Sequence, residues 1–345
     1  PEDIRLRRPR AMARAKKELE DDIRFWQGVQ YLFFGQWQEF KSYVNEKGIS
    51  IVGDLPIYVA GDSADVWAAP DQFLLDDQGR PTLVAGVPPD DYSADGQLWG
   101  NPLFRWDRMK QDGYAWWLDR VAFQFEIYDV LRLDHFRGFE SYYAIPYGEK
   151  TARNGQWLPG PGMDFFRALR RSLGPRPIIA EDLGFLTPEV YQLLADTGFP
   201  GMKVLEFGFG DPREDSEYLP HNYPVHSVAY PGTHDNDTIL GWLDSLTTEQ
   251  AKFARHYLRL SRREGLHWGV LRSLWASPAQ LTVVQMQDLL GLDRRARMNT
   301  PSTLGGNWQW RALPEAISAG LARRLYREAA AYQRLPRGGT AKNEE

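Results

Sequence analysis

Six short apolar runs rich in β-branched residues punctuate this 345-residue chain: SIVGDLP, DVLRLD, PIIAED, MKVLEF, VHSVAY and LTVVQM. Stretches of helical periodicity separate most of them, and strand alternating with helix is the signature of a parallel sheet covered by helices. Three runs end in, or lead into, an acid with polar neighbours: Asp134 beside Arg132 and His135, Glu181 beside Asp182, and Asp235 beside His234 and Asn236. Acids at the C-terminal ends of buried parallel strands point to a (β/α) barrel, whose sites lie at that face. The expected fold class is therefore α/β, of the (β/α)8 TIM-barrel family. Closure needs eight strands, whereas six are found and residues 1–48 read as helix, so the expectation is an incomplete barrel lacking the first two strands.

The chain reads as a single catalytic domain over 1–345. A polar segment rich in Pro and Gly, about 60–112, is far longer than an ordinary βα loop and is expected to be an inserted substrate-binding subdomain. SYYAIPYGEKTARNGQWLPGPG reads as a second long loop. Residues 9–48 read as helical, with Phe25, Val29, Leu32, Phe33, Trp37 and Phe40 as apolar positions near period 3.6. Thr187 and Pro188 mark a helix start, residues 247–276 read as helical, PEAISAGLARRLYREAAAYQRL as an amphipathic helix, and GGTAKNEE as a frayed tail.

Composition narrows the function. A net charge of −5 and a pI near 5.8 argue against a nucleic-acid partner. No apolar run approaches the roughly 20 residues that span a bilayer, and no secretion signal is seen, so no membrane is expected. The absence of cysteine fits a cytoplasmic protein. The 13 Trp and 16 Tyr can serve the core, but they can also stack on sugar rings.

Retaining glycosidase chemistry needs one carboxylate to attack the anomeric carbon and a second to protonate the departing oxygen. Alternation puts Arg132 and Asp134 on one face of their strand, so the guanidinium can hold Asp134 ionised and aimed as the nucleophile. Glu181, partly buried near another carboxylate, suits a general acid and base. Asp235 would bind secondary hydroxyls and favour the flattened sugar of the transition state. His234, Asp235 and Asp237 lack recognised metal-ligand spacing, FGFGDP is not a phosphate cradle, and no cofactor is expected.

At these residues the chain resembles the 4-α-glucanotransferases of glycoside hydrolase family 77, in the α-amylase clan. The resemblance rests on GDLPIYVAGDSADVW, GVPPDDYSADGQLWGNP, LRLDHFRGFESYYAIP, IIAEDLG, PGTHDNDTILGW and MQDLLGLDRRARMNTPSTLGGNWQWR. It implies a (β/α)8 barrel that moves segments of α-1,4-glucans and malto-oligosaccharides to the 4-hydroxyl of a glucan or glucose by double displacement, with glucose also as product. It further implies Asp134 as nucleophile, Glu181 as acid/base and Asp235 as transition-state stabiliser. Arg132, His135 and His234 would contact the sugar, with Asp54 supporting that site. Gln97 and Trp99 would belong to a flexible loop over the glucan, and Asn299 and Asn307 to a second loop framing the groove. The family begins with roughly 150 further residues, so the chain is expected to be a truncated member. Rival readings of the same residues are an α-amylase-like hydrolase and an inactive glucan-binding protein.

Overall fold

A computed structural model describes residues 1–90 and 93–336. Asp91 and Tyr92 of the GVPPDDYSADGQLWGNP block, and the GGTAKNEE tail, lie outside the described residues. The chain falls into two compact units, Pro1–Pro200 and Gly201–Glu345.

Among its described residues the first unit holds seven strands: β1 (Val52–Leu55), β2 (Leu83–Val87), β3 (Gln97–Pro102), β4 (Val130–Leu133), β5 (Ser141–Pro146), β6 (Gln156–Pro159) and β7 (Ile178–Ala180). Three of the predicted runs form a parallel sheet in the order β1-β4-β7, with Asp54 level with Arg132 and Arg132 level with Ile179. Leu131, Leu133, Ile178 and Ala180 of this sheet are buried, and the helices 115–127 and 162–173 contribute Trp117, Val121, Phe165 and Phe166 to the same core. Gly174, at a positive φ of 71°, ends the second of these helices where a side chain would be strained.

The insertion and the segment read as a second long loop both contain strands. Strands β2 and β3 come from the first and β5 and β6 from the second, and they pair as one antiparallel sheet, β3-β2-β5-β6. Sequence pattern hid this sheet because Gly86, Gly100, Asn101 and the flanking prolines are poor strand formers; pairing across distant segments overrides local propensity. Gly86 is required by proximity, since a Cβ there would stand 2.2 Å from the Gln97 carbonyl oxygen.

Residues 1–48 are helical throughout their regular structure, as expected, but the long helix is broken at Leu19 into Pro9–Glu18 and Glu20–Glu46. The acids Glu20, Asp21 and Asp22 open the second helix, where its dipole favours negative charge. Its expected apolar stripe is only partly covered. Trp37 donates to the Ile127 carbonyl and Lys41 to three carbonyls around the end of helix 115–127, whereas Phe25, Leu32, Phe33 and Phe40 are exposed.

The second unit holds the other three predicted runs, as β8 (Gly201–Val204), β9 (Ser227–Tyr230) and β10 (Leu281–Thr282), a parallel sheet in the order β8-β9-β10. Residues 247–276 form two helices, Thr248–Tyr257 and Leu266–Trp275, and not one. The break contains Arg259 and Gly265, both at positive φ, which no helix accommodates. Thr247 forms a reciprocal capping box with Gln250. Trp242, Leu258, Leu271 and Leu274 are among the buried residues of this unit. No described helix is long and apolar enough to cross a membrane.

Candidate active site

Asp54, Arg132, Asp134, His135 and Glu181 gather at the C-terminal ends of β1, β4 and β7. Backbone pairing fixes their level: the Asp134 N–H donates to the Leu55 carbonyl and the Glu181 N–H to the Leu133 carbonyl. Arg132 sits centrally. Its Nη1 lies 2.7 Å from both Asp54 oxygens and 3.1 Å from Asp134 Oδ1. Burial opposes the guanidinium's charge, but Asp54, Asp134 and Glu181 outweigh it, so Arg132 is held protonated even more firmly than usual.

Glu181 is 9% exposed. Burial, reinforced by the Asp134 carboxylate, pushes its carboxyl up to about 7, against Arg132 and the His135 and Leu183 amides. Those amides donate to Oε2 at 2.7 Å and Oε1 at 3.0 Å, which fixes the carboxyl plane. Two carboxyl groups, one paired with arginine and one driven toward neutrality, are the division of labour that acid-assisted glycosyl displacement requires.

His135 adopts the left-handed conformation, with φ 51°. Burial, with Arg137 nearby, pushes its imidazole down to about 4, and its Nε2 is buried without a partner. Trp99 stands edge-on to this ring at 4.9 Å, and its Nε1 donates to Gln97 Oε1 at 3.1 Å. The segment expected to be a flexible loop over the glucan is thus the paired strand β3. Tyr58, which sequence reasoning missed, is buried between Trp99 and Phe104 and 6.5 Å from the His135 ring. Its signal was available, as the aromatic four residues beyond Asp54 in DLPIY.

In the second unit His234 and Asp235 lie on the turn after β9, built by THDNDT. The Thr233 amide and hydroxyl both donate to Asn236 Oδ1, and Thr238 caps helix 239–245. Asp235 Oδ1 accepts from Asn299 Nδ2 at 2.6 Å, while Oδ2 lies 3.4 Å from His234 Nε2. Asn307 does not touch Asp235; its Oδ1 accepts the Thr300 N–H at 3.0 Å and holds the 299–308 loop together. Trp308, also missed, packs 5.1 Å from the His234 ring.

Behind this turn lies an acidic group that sequence reasoning passed over. Asp288 Oδ1 accepts the Ile239 N–H at 2.7 Å while Oδ2 is buried without a partner, and burial pushes the carboxyl up to about 7. Glu206 is raised well above its ordinary range by burial, Asp288 and Asp237, against Arg297. Glu206 follows β8 closely, so the rule that picked out the other acids would have found it. Among the described residues no group of three or more His, Cys, Asp or Glu is placed to hold a metal ion.

Parallel strands flanked by helices, with polar groups gathered at their C-terminal ends, define an α/β protein that carries its candidate site at that face. The chain matches the family described as 4-alpha-glucanotransferase over residues 1–315, and it belongs to that family. It is 47% identical over 334 residues to a 4-alpha-glucanotransferase of Clostridium butyricum, covering 96% of this chain and 68% of that one. A Synechocystis 4-alpha-glucanotransferase is 48% identical over 326 residues, covering 94% and 64%. Among solved structures, the amylomaltase of Streptococcus agalactiae in complex with acarbose superposes with a TM-score of 0.95 at 44% identity, over 97% of this chain and 68% of that one. The α/β fold class expected from sequence is therefore that of the amylomaltases. The chain spans about two thirds of the length of these relatives.

Proposed function

We propose that the chain carries the chemistry of a retaining 4-alpha-glucanotransferase acting on α-1,4-glucans and malto-oligosaccharides. The observation that carries this reading is the pairing of Arg132 with Asp134 beside a Glu181 pushed up to about 7. Asp134 attacks the anomeric carbon and forms a glycosyl ester as Glu181 gives its proton to the departing 4-oxygen. Glu181 then takes the proton of an incoming 4-hydroxyl, which attacks the same carbon and frees Asp134. Asp235 stabilises the positive charge that develops on the ring between these states.

Other residues fit sugar recognition. The unpartnered His135 Nε2 suits a sugar hydroxyl, and the neutral ring can accept as well as donate. Trp99 offers an apolar face and, with Gln97, would screen the ester from water, favouring a sugar acceptor. We read the β2–β3 hairpin as the substrate-binding part of the insertion at about 60–112. Asp54 would support Arg132, while His234, Asn299 and Asn307 would contact sugar around Asp235. One glycosidic bond is exchanged for another, so no cofactor is called for. The Streptococcus agalactiae protein binds acarbose, an oligosaccharide, which supports the substrate class. Cytoplasm is the compartment we assign, on the lack of cysteine.

Incubation of the intact gene product with maltotriose tests the reading. Longer oligomers together with glucose are expected, with glucose also accepted as a co-substrate. Products no longer than maltotriose would indicate hydrolysis instead.

A further inference from the structure

We propose that Arg297 is a positioning residue for Asp235, acting as a two-pronged clamp on the main chain of the two loops that hold that carboxylate. The inference rests on the reading of Asp235 as the transition-state stabiliser. The Arg297 Nη2 donates to the carbonyl of Asp235 itself, and Nε donates to the carbonyl of Asn299 at 2.8 Å. Asn299 is the residue whose amide grips Asp235 Oδ1 at 2.6 Å, and its backbone N–H donates to the His234 carbonyl at 3.1 Å. One planar guanidinium thus sets the spacing between the turn after β9 and the 299–308 loop. That spacing fixes where the Asp235 carboxylate stands.

The fork geometry makes the residue type specific. A guanidinium presents parallel donors at fixed separation, whereas a lysine ammonium is a single point on a flexible stem and cannot reproduce both bonds in one plane. Arg297 donates to the main-chain carbonyl of Asp235 and not to its carboxylate, so its influence passes through the backbone and Asn299. Supporting residues of this kind hold a reacting group to within a fraction of an ångström, and a misplacement of about 1 Å can cost about 100-fold.

A double-mutant cycle tests the assignment. In the intact gene product, Arg297→Met should lower kcat for maltotriose disproportionation about 100-fold with KM changed less than about threefold, because the Asp235 contact tightens in the transition state. Arg297→Lys should recover part of that loss. In an Asp235→Asn background, with α-maltosyl fluoride as donor to keep the residual rate measurable, Arg297→Met should cost less than about threefold. Equal losses in the two backgrounds would overturn the proposal while leaving the role of Asp235 standing. Wild-type activity in Asp235→Asn alone would remove the reading on which it rests. Should Arg297→Met fail to show a cooperative melting transition, the Arg297→Lys cycle serves instead, with about tenfold expected in the wild-type background and less than about twofold in Asp235→Asn.

Discussion

Asp134 and Asp235 stand next to arginine in opposite ways. Arg132 reaches the Asp134 carboxylate directly at 3.1 Å and clasps Asp54 as well. Arg297 meets Asp235 at its main-chain carbonyl, and the carboxylate itself is held by a neutral amide and an imidazole. The difference matches the work proposed for each. A nucleophile gives up its charge when its bond forms, so an adjacent cation aims it and helps it leave again. A group that must stabilise a developing positive charge acts through its field, which a guanidinium in direct contact would cancel. A second contrast runs alongside: Glu181 and Asp288 are both pushed up to about 7 by burial, one beside the proposed nucleophile and one sealing a helix start.

The largest expected effect tests the nucleophile. Asp134→Asn keeps shape but removes the attacking charge, so transfer should fall by about 10⁴-fold or more while maltotriose affinity, read by titration calorimetry, stays within about threefold. More than a trace of turnover would dissolve the contrast between the two aspartates. Next in size, Glu181→Gln should cost about 10³-fold on maltotriose but far less in the first step with α-maltosyl fluoride, whose leaving group needs little protonation. The wild-type kcat/KM on maltotriose should decline as pH rises through about 7, because the acid must be protonated. That limb should be missing from the mutant's reaction with the fluoride; an unchanged limb assigns it to another group.

Trp99→Ala should raise the ratio of hydrolysis to transfer about threefold or more while total bond cleavage falls less, if the ring's work is to keep water from the ester. Product chromatography decides, and an unchanged ratio returns Trp99 to packing. The smallest effect separates Asp288 from Glu181. Unfolded, Asp288 releases its proton near 3.8, and folded it keeps the proton up to about 7. Between those values the folded state binds more protons, so stability falls as pH rises across the window, and the full cost remains above it. Asp288→Asn should therefore raise Tm by about 3–6 °C at pH 8 and leave it unchanged at pH 3.5. An equal gain at both values would mean that titration is not the cause.

The sequence made all six parallel strands legible: β7, β8 and β9 are buried along their whole length and read as apolar runs, and β1, β4 and β10 are marked by their β-branched and aliphatic residues. It also singled out Asp134, Glu181 and Asp235, since an acid ending such a run has no packing reason to be there. The antiparallel sheet escaped, because β2 pairs with β5 across the intervening β4 and its residues are poor strand formers in isolation. Arg297 and Asp288 escaped for a different reason. Each acts through a partner remote in sequence, Asp235 and Ile239 respectively, and no local pattern announces such a contact.

The hairpin that carries Trp99 has a mechanical consequence. β3 is paired to β2 and β2 to β5, Gly86 admits no side chain against Gln97, and Asn101 Nδ2 is tied to the Val59 carbonyl at 3.0 Å. Trp99 falls where the register between β2 and β3 shifts, bracketed by the Gly86–Leu98 pair on one side and the Val84–Pro102 pair on the other. A ring anchored on both flanks cannot swing away on a free loop end, so any shelter it gives a glycosyl ester under the proposed mechanism is set by the strand pairing beneath it.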